Sequence, residues 1–260
     1  MNVVLFRGGY WADEGELPTA QSVMPVYQYR TQIPAGSLVI PRYAALPFYQ
    51  ELEHDVKILG SRLINTYAQH RFVADFWQWY LLLQDLTPRS WDNWHNLPKD
   101  TSFVLKGSTN SRKNYWQTRM FAKSASDIPR IACSLLDDQE ILSQGIVVRE
   151  YIPLVQYGEG INGLPFTNEW RFFCLEGRVI LGGYYWANEP EMYPGDPTVP
   201  PEGALSLAQE VALRVKDHIP FSVVDVAEKA VGGWMVIEMN DGQQSGLPVC
   251  DPETLYKALR

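Results

Sequence analysis

The chain has few of the residues that announce metal or redox chemistry. Of its 260 residues, three are cysteine (Cys133, Cys174, Cys250) and four are histidine (His54, His70, His95, His218). The cysteines are odd in number and far apart. That excludes zinc-type spacing and a disulfide framework, and points to a reducing compartment. The histidines lack ligand spacing and read as structural or surface residues. No Ser-His-Asp or Cys-His arrangement can be assembled. Cations are also scarce: 22 Lys and Arg stand against 30 Asp and Glu, a formal net charge of −8. This balance argues against a nucleic-acid partner. No apolar run approaches the ~18 residues of a membrane helix. The start, MNVVLFRGGYW, has neither the basic opening nor the long apolar core of a signal peptide. A cytoplasmic protein without a membrane partner is expected.

What is present is a globular composition. Hydrophobic residues make up 46% of the chain, enough to bury a core in one large domain or two small ones. Met1–Leu5 reads as a strand closed by a turn at Arg7-Gly8-Gly9. Ser37–Ile40 reads as a strand ended by Pro41. A helix is expected over Pro47–Val56 and a short strand over Val56–Leu59. Tyr67–Leu86 reads as one aromatic-rich helix, whose stripe is core packing. The aperiodic stretch 87–100, with Pro88, Trp91, Trp94 and Pro98, marks the best boundary. An N-terminal α/β region over 1–95 and a second unit over 96–260 follow from it. Beyond the boundary the pattern favours short strands. They are Ser102–Leu105, Ile146–Ile152, a hairpin of Glu169–Cys174 and Val179–Tyr185 around Glu176-Gly177, and a pair at Phe221–Ala227 and Trp234–Met239. Ala204–Lys216 reads as a helix.

Five polar groups interrupt these apolar runs. In Val236-Ile237-Glu238-Met239-Asn240, residues i and i+2 of a strand share a face. Glu238 and Asn240 then point one way, with Ile237 and Met239 on the other side. Two oxygen donors on a rigid strand suit a hard cation such as Mg²⁺. Asp225 sits in the β-branched run Val223-Val224-Asp225-Val226, and a hairpin brings it to the same place. Lys106 ends a strand and leads into Gly107-Ser108-Thr109-Asn110-Ser111-Arg112-Lys113. A loop of hydroxyls and cations can close over phosphates, although it lacks Walker A spacing. A solvated basic turn is the alternative. Arg149 and Glu150 are charges inside an apolar strand that face opposite sides, expensive unless paired or in use; an internal ion pair or an edge strand with one wet face is the alternative. Glu169 and Arg171 share a face opposite Trp170 and Phe172, for phosphoryl recognition or a cross-strand ion pair. Gly158-Glu159-Gly160-Ile161-Asn162-Gly163 matches G-x-G-x-x-G. No helix opens from it, so it reads as a mobile loop and not a dinucleotide fingerprint.

This order of parts resembles the ATP-grasp superfamily over roughly Asn65–Asp241. It runs strand-Lys, strand with Arg-Glu-Tyr, strand with Glu-x-Arg, strand with Asp, then Glu-x-Asn. The resemblance implies an α+β fold in which two lobes hold ATP with Mg²⁺. It implies an ATP-dependent ligase that joins a carboxylate, activated as an acyl phosphate, to an amine or similar nucleophile. By the same resemblance Lys106 and Arg171 are catalytic. Lys106, Ser111, Lys113, Arg149, Glu150, Tyr151, Ile152, Glu169 and Arg171 bind the nucleotide, with 148–152 as the hinge beside the adenine. Asp225, Glu238 and Asn240 are the metal ligands. The acid and acceptor stay unidentified, with peptides and proteins in range. The spacing also resembles a subgroup of compact bacterial and phage proteins that includes a eukaryotic assembly chaperone for a translation initiation factor. The alternative function is therefore an ATP-binding assembly chaperone, with Trp91, Trp94 and Trp116 as a partner patch.

Overall fold

The computed structural model describes residues 1–6, 15–43, 45, 48–109, 111–142 and 144–260. The expected turn at Arg7-Gly8-Gly9 lies outside the described residues, as do Pro47 and Asn110.

The N-terminal strands are β1 (Asn2–Phe6), β2 (Val26–Tyr27), β3 (Leu38–Arg42) and β4 (Arg62–Leu63). They form a parallel sheet in the order β2-β1-β3-β4. Alternate β1 residues serve two cores. Val3 and Leu5 pack toward helix α2 (Tyr49–Ile58). Val4 and Phe6 pack toward α1 (Glu16–Val23) and the C-terminal helix. Burial on both faces explains the continuous apolar run. Pro41 does not end β3, which continues to Arg42. The neighbour β4 pairs only with Leu38 and Val39, so the missing Pro41 N–H is not needed on that side. Val56–Leu59 is no strand. Tyr49, Leu52 and Val56 recur at helical spacing, and their burial carries α2 on to Ile58. The long aromatic helix is two helices, α3 (Tyr67–Ala74) and α4 (Phe76–Leu83). Asp75 takes extended backbone between them and caps α4 by accepting from the Trp77 N–H.

The second sheet holds β5 (Ser90–Trp91), β6 (Phe103–Gly107), β7 (Phe121–Ala122) and β8 (Ile146–Glu150), in the order β5-β8-β6-β7. Helices α5 (Ile128–Leu136) and α6 (Gln139–Leu142) lie between β7 and β8 in the chain. Phe103, Leu105, Ile146 and Val148 bury against the α5 side chains Ile128, Ile131 and Leu135. Val104, Lys106 and Arg149 therefore take the opposite face. The G-x-G-x-x-G segment is a hairpin instead of a simple loop. Its strands are β9 (Gln156–Glu159) and β10 (Pro165–Thr167). Gly163, at φ 74°, turns between them, where a side chain would be strained.

The third sheet is antiparallel and contains β11 (Glu169–Leu175), β12 (Arg178–Tyr184), β13 (Phe221–Glu228) and β14 (Trp234–Asp241), in the order β12-β11-β13-β14. Between β12 and β13 lies α7 (Glu202–Val215), and the chain closes with α8 (Pro252–Leu259). Trp170, Phe172, Val224 and Val226 bury against α7 and the aromatic residues of α3 and α4. On the other face Phe173, Phe221 and Val223 pack toward β1 and α8. That face turns polar further along, at Arg171, Asp225 and Glu238. The architecture is α+β, as the sequence implies.

Candidate active site

One register position brings the predicted charges together. Arg171 on β11 is the partner of Asp225 on β13, and Asp225 is the partner of Glu238 on β14. The Arg171 guanidinium donates to both Asp225 oxygens at 2.8 Å each. Lys106 donates to the Glu238 carboxylate from the end of β6, in the second sheet. The Asn240 amide lies 3.4 Å from Asp225. The pattern of i and i+2 residues thus places all three acidic or amide candidates on one face.

Ile237 departs from that pattern. The β13–β14 register shifts between Asp225 and Val226, which leaves Ile237 as an extra residue. This bulge puts Ile237 and Glu238 in the same cleft, while Met239 goes into the core. Arg149 holds the bulge. It donates to the Ile237 carbonyl at 2.8 Å and to the Thr87 hydroxyl at 2.7 Å, and that hydroxyl donates to the Val236 carbonyl at 2.8 Å. Arg149 and Glu150 thus find separate partners, as residues on opposite sides of a strand must. Glu150 accepts from Arg89 at 2.8 and 3.1 Å.

The cleft between the second and third sheets encloses about 920 Å³ of empty space, its open mouth included. Lys106, Ser111, Lys113, Arg149, Glu150, Tyr151, Ile152, Glu169 and Glu238 all line it. Arg171 and Asp225 stand one row behind the lining, and Asp225 is fully buried. Apolar side chains, Val104, Trp116, Leu154, Met235 and Ile237 among them, share the lining. Three buried polar atoms of the lining, Arg149 Nε, Glu169 Oε1 and Trp186 Nε1, have no hydrogen-bond partner among the described residues. Gln156, Leu164 and Pro165 of the hairpin also line the cleft. Asn162 donates to the Asn114 carbonyl at 2.7 Å, tying the two loops expected to close the site.

The charges shape one another. Burial works against ionised Glu238, but Lys106, Lys113 and Arg171 outweigh it and hold its pKa at about 2. Burial also works against Lys113, yet Glu169, Tyr185 and Glu238 raise its pKa above the ordinary lysine value. Glu169 lies 3.6 Å from Lys113. Its carboxyl is nevertheless raised, because burial dominates. Burial lowers Arg149 to about 10, with Glu238 pulling the other way.

Three residues that shape the site are invisible in the sequence: Met235 lines the cleft, while Tyr185 and Thr87 hold residues that line it. Tyr185 accepts a hydrogen bond from Lys113 at 2.8 Å, and the Arg171 guanidinium lies 4.8 Å from its ring centroid. It sits among many aromatics with no spacing to mark it. Thr87 and Met235 carry no signal either. Of the three tryptophans expected to form a partner patch, Trp91 packs on Phe103 and Trp116 on Phe121, while Trp94 is exposed.

Residues 93–259 match the model of an ATP-grasp domain family, described as family 3 of its clade. The chain belongs to this ATP-grasp family. The fold agrees. D-cycloserine synthetase DcsG superposes with a TM-score of 0.61 at 14% identity, covering 100% of both chains. The ATP-grasp ligase PsnB, complexed with a minimal precursor, gives 0.58 at 12% identity, over 99% of this chain and 97% of that one. D-alanyl-alanine synthetase A from Vibrio cholerae gives 0.56 at 12% identity, over 99% and 97%. No curated protein sequence matches this ATP-grasp chain. Among its described residues no helix is long and apolar enough to cross a membrane.

Proposed function

We propose that the cleft binds Mg-ATP and that the chain is an ATP- and Mg²⁺-dependent ligase. It joins a carboxylate to an amine or similar nucleophile through an acyl phosphate. The observation that carries this reading is the row Arg171–Asp225–Glu238 faced by Lys106. Acidic and basic groups meet there, and Lys106 and Glu238 carry them into a cleft that apolar side chains also line.

The residues fit the ligands in kind. Asp225, Glu238 and Asn240 offer only oxygen donors, the choice of a hard cation. No group of three or more His, Cys, Asp or Glu side chains among the described residues offers another metal site. These three would hold Mg²⁺, which when bound neutralises phosphate charge as a Lewis acid. The apolar walls suit the faces of a purine, with the backbone of Glu150, Tyr151 and Ile152 along its edge. The orphaned Glu169 and Trp186 atoms are polar partners awaiting a ligand. Ser111 and Lys113 reach the phosphates from the basic loop. Lys106 and Arg171 now neutralise Glu238 and Asp225. In catalysis they stabilise charge on the transferring phosphoryl group. Arg149 acts through the Ile237 carbonyl, by fixing where Glu238 stands.

Residues 96–260 supply the nucleotide grip in this reading, and residues 1–95 add walls beyond it. PsnB has been seen with a precursor peptide and AMPPNP, and with a minimal precursor together with Mg and ADP. Peptide carboxylates are accordingly among the acids to test. The chaperone alternative draws on Trp91, Trp94 and Trp116 as a partner patch, and no specific observation favours it.

The test is product analysis with Mg-ATP and pools of amino acids and peptides. ADP release that needs both an acid and an amine, with an amide as product, supports the ligase. Tight ATP binding without turnover, with a protein partner recovered from extract, overturns it in favour of the chaperone.

A further inference from the structure

A second cavity, of about 740 Å³, opens beyond the Lys106–Glu238 pair. Both residues of the pair line both cavities, so the two chambers meet there. His70, Trp79, Asn240 and Asp241 are among the residues that line it. Asp241 is 4% exposed and heavily served. It accepts from the Asn65 amide at 2.7 Å, the Gln243 N–H at 2.9 Å and the Tyr49 hydroxyl at 3.4 Å.

His70 is held at three points. Its ring stacks on Tyr49 with centroids 4.7 Å apart. Nδ1 lies 3.1 Å from Asp241 Oδ2 and 3.2 Å from the Gln244 amide nitrogen. A bare lone pair facing the carboxylate would be repelled more strongly than an N–H facing the amide. The proton therefore belongs on Nδ1 and the lone pair on Nε2. Nε2 has no hydrogen-bond partner among the described residues. The other two bases of this cavity are engaged: Glu238 by Lys106 and Asp241 by its donors.

We propose that His70 is the catalytic base that takes a proton from an amine nucleophile bound in the second cavity. The proposal rests on the ligase reading above. The amine lone pair forms the C–N bond at the acyl carbon. The C–O bond to phosphate breaks, and its electron pair leaves with phosphate. The nucleophile arrives as an ammonium: one N–H proton first passes to Nε2, with Asp241 steadying the resulting imidazolium, which frees that lone pair, and a second N–H proton leaves with the phosphate. The Asn65, Tyr49 and Gln243 contacts make Asp241 a fixed support for that ring.

The test uses the full chain with Mg-ATP and pooled amino acids and short peptides as acids. The nucleophile is either an ordinary amino-acid amine or hydroxylamine, which is largely unprotonated at neutral pH and needs no base. His70→Asn keeps a donor toward Asp241 and removes Nε2. Amide formation is expected to fall about 100-fold or more, while hydroxamate formation stays within about threefold of wild type. Mg-ATP affinity by calorimetry is expected to stay unchanged. If His70→Asn melts early, His70→Gln is expected to give the same split. Amide yield within about threefold of wild type, or equal losses of amide and hydroxamate, overturns the role of His70. A wild type that binds Mg-ATP yet forms neither product overturns the ligase reading, and this proposal with it.

Discussion

Lys106 at the end of β6 donates a hydrogen bond to Glu238 on β14, joining two sheets that share no strand. The side chains are 7% and 19% exposed, so each charge depends on the other for solvation. The pair also stands where the two cavities meet. A ligand that draws Lys106 toward phosphate must supply Glu238 with another positive partner, and a bound cation does so.

Lys106→Ala leaves Glu238 buried without its nearest cation. A loss of roughly 3 kcal/mol is expected, or about 6–12 °C in Tm for a domain of this size. Replacing both members, as Lys106→Met with Glu238→Leu, is expected to recover most of that stability and leave Mg-ATP binding abolished. Paired thermal melts and calorimetry check whether stability and binding separate in this way.

Arg149 makes two charge-assisted hydrogen bonds that pin the β14 bulge. Arg149→Ala is expected to cost roughly 3 kcal/mol and to weaken Mg-ATP binding by about tenfold, through displaced Glu238. Arg149→Lys is expected to rescue little, because an ammonium lacks the planar fork that reaches Ile237 and Thr87 together. Denaturant melts with nucleotide titrations on both variants check this.

Glu238 is held at about 2, below its ordinary value of 4.5. A depressed carboxyl binds fewer protons in the folded than in the unfolded state. Its contribution is complete above about pH 4.5 and is lost as pH falls toward 2. The stability gap between wild type and Glu238→Gln is expected to shrink over that window, by at most roughly 3 kcal/mol. Urea melts at pH steps from neutral to acid measure the gap. A gap that stays constant contradicts the assignment.

Tyr185 offers its hydroxyl to Lys113 and its ring to Arg171. Tyr185→Phe is expected to keep the cation–π contact and reduce Mg-ATP affinity by less than about threefold. Tyr185→Ala is expected to cost about tenfold. Calorimetry on the two variants separates ring from hydroxyl.

The fold and the charged half of the site are legible in the sequence because strand alternation is strict. Glu169 with Arg171, and Glu238 with Asn240, share faces by spacing alone, and the hairpins supply the register. Alternation misplaces Ile237 because a bulge adds one residue with no composition signal. The helix break at Asp75 is hidden because apolar spacing continues across it, while the cap depends on one side-chain hydrogen bond. Val56–Leu59 resembles a strand because a short apolar run does not declare its period. Spacing reads His70 as structural, and its contact with Asp241 is buried. Its place on the second cavity comes from a residue 171 positions away, which no local pattern encodes. Tyr185 and Thr87 likewise act through partners brought near only by the fold.

The central claim is that the row of Arg171, Asp225 and Glu238 with Lys106 is a Mg-ATP site. Calorimetric titration of ATP into the wild-type chain, with and without Mg²⁺, tests it most directly when repeated on Lys106→Ala, Asp225→Ala and Glu238→Ala. The expected result is Mg²⁺-dependent binding that each substitution weakens by about tenfold or more, at ~1.4 kcal/mol per decade, in variants that remain folded. Affinity that is indifferent to Mg²⁺ and unchanged in all three variants would contradict it.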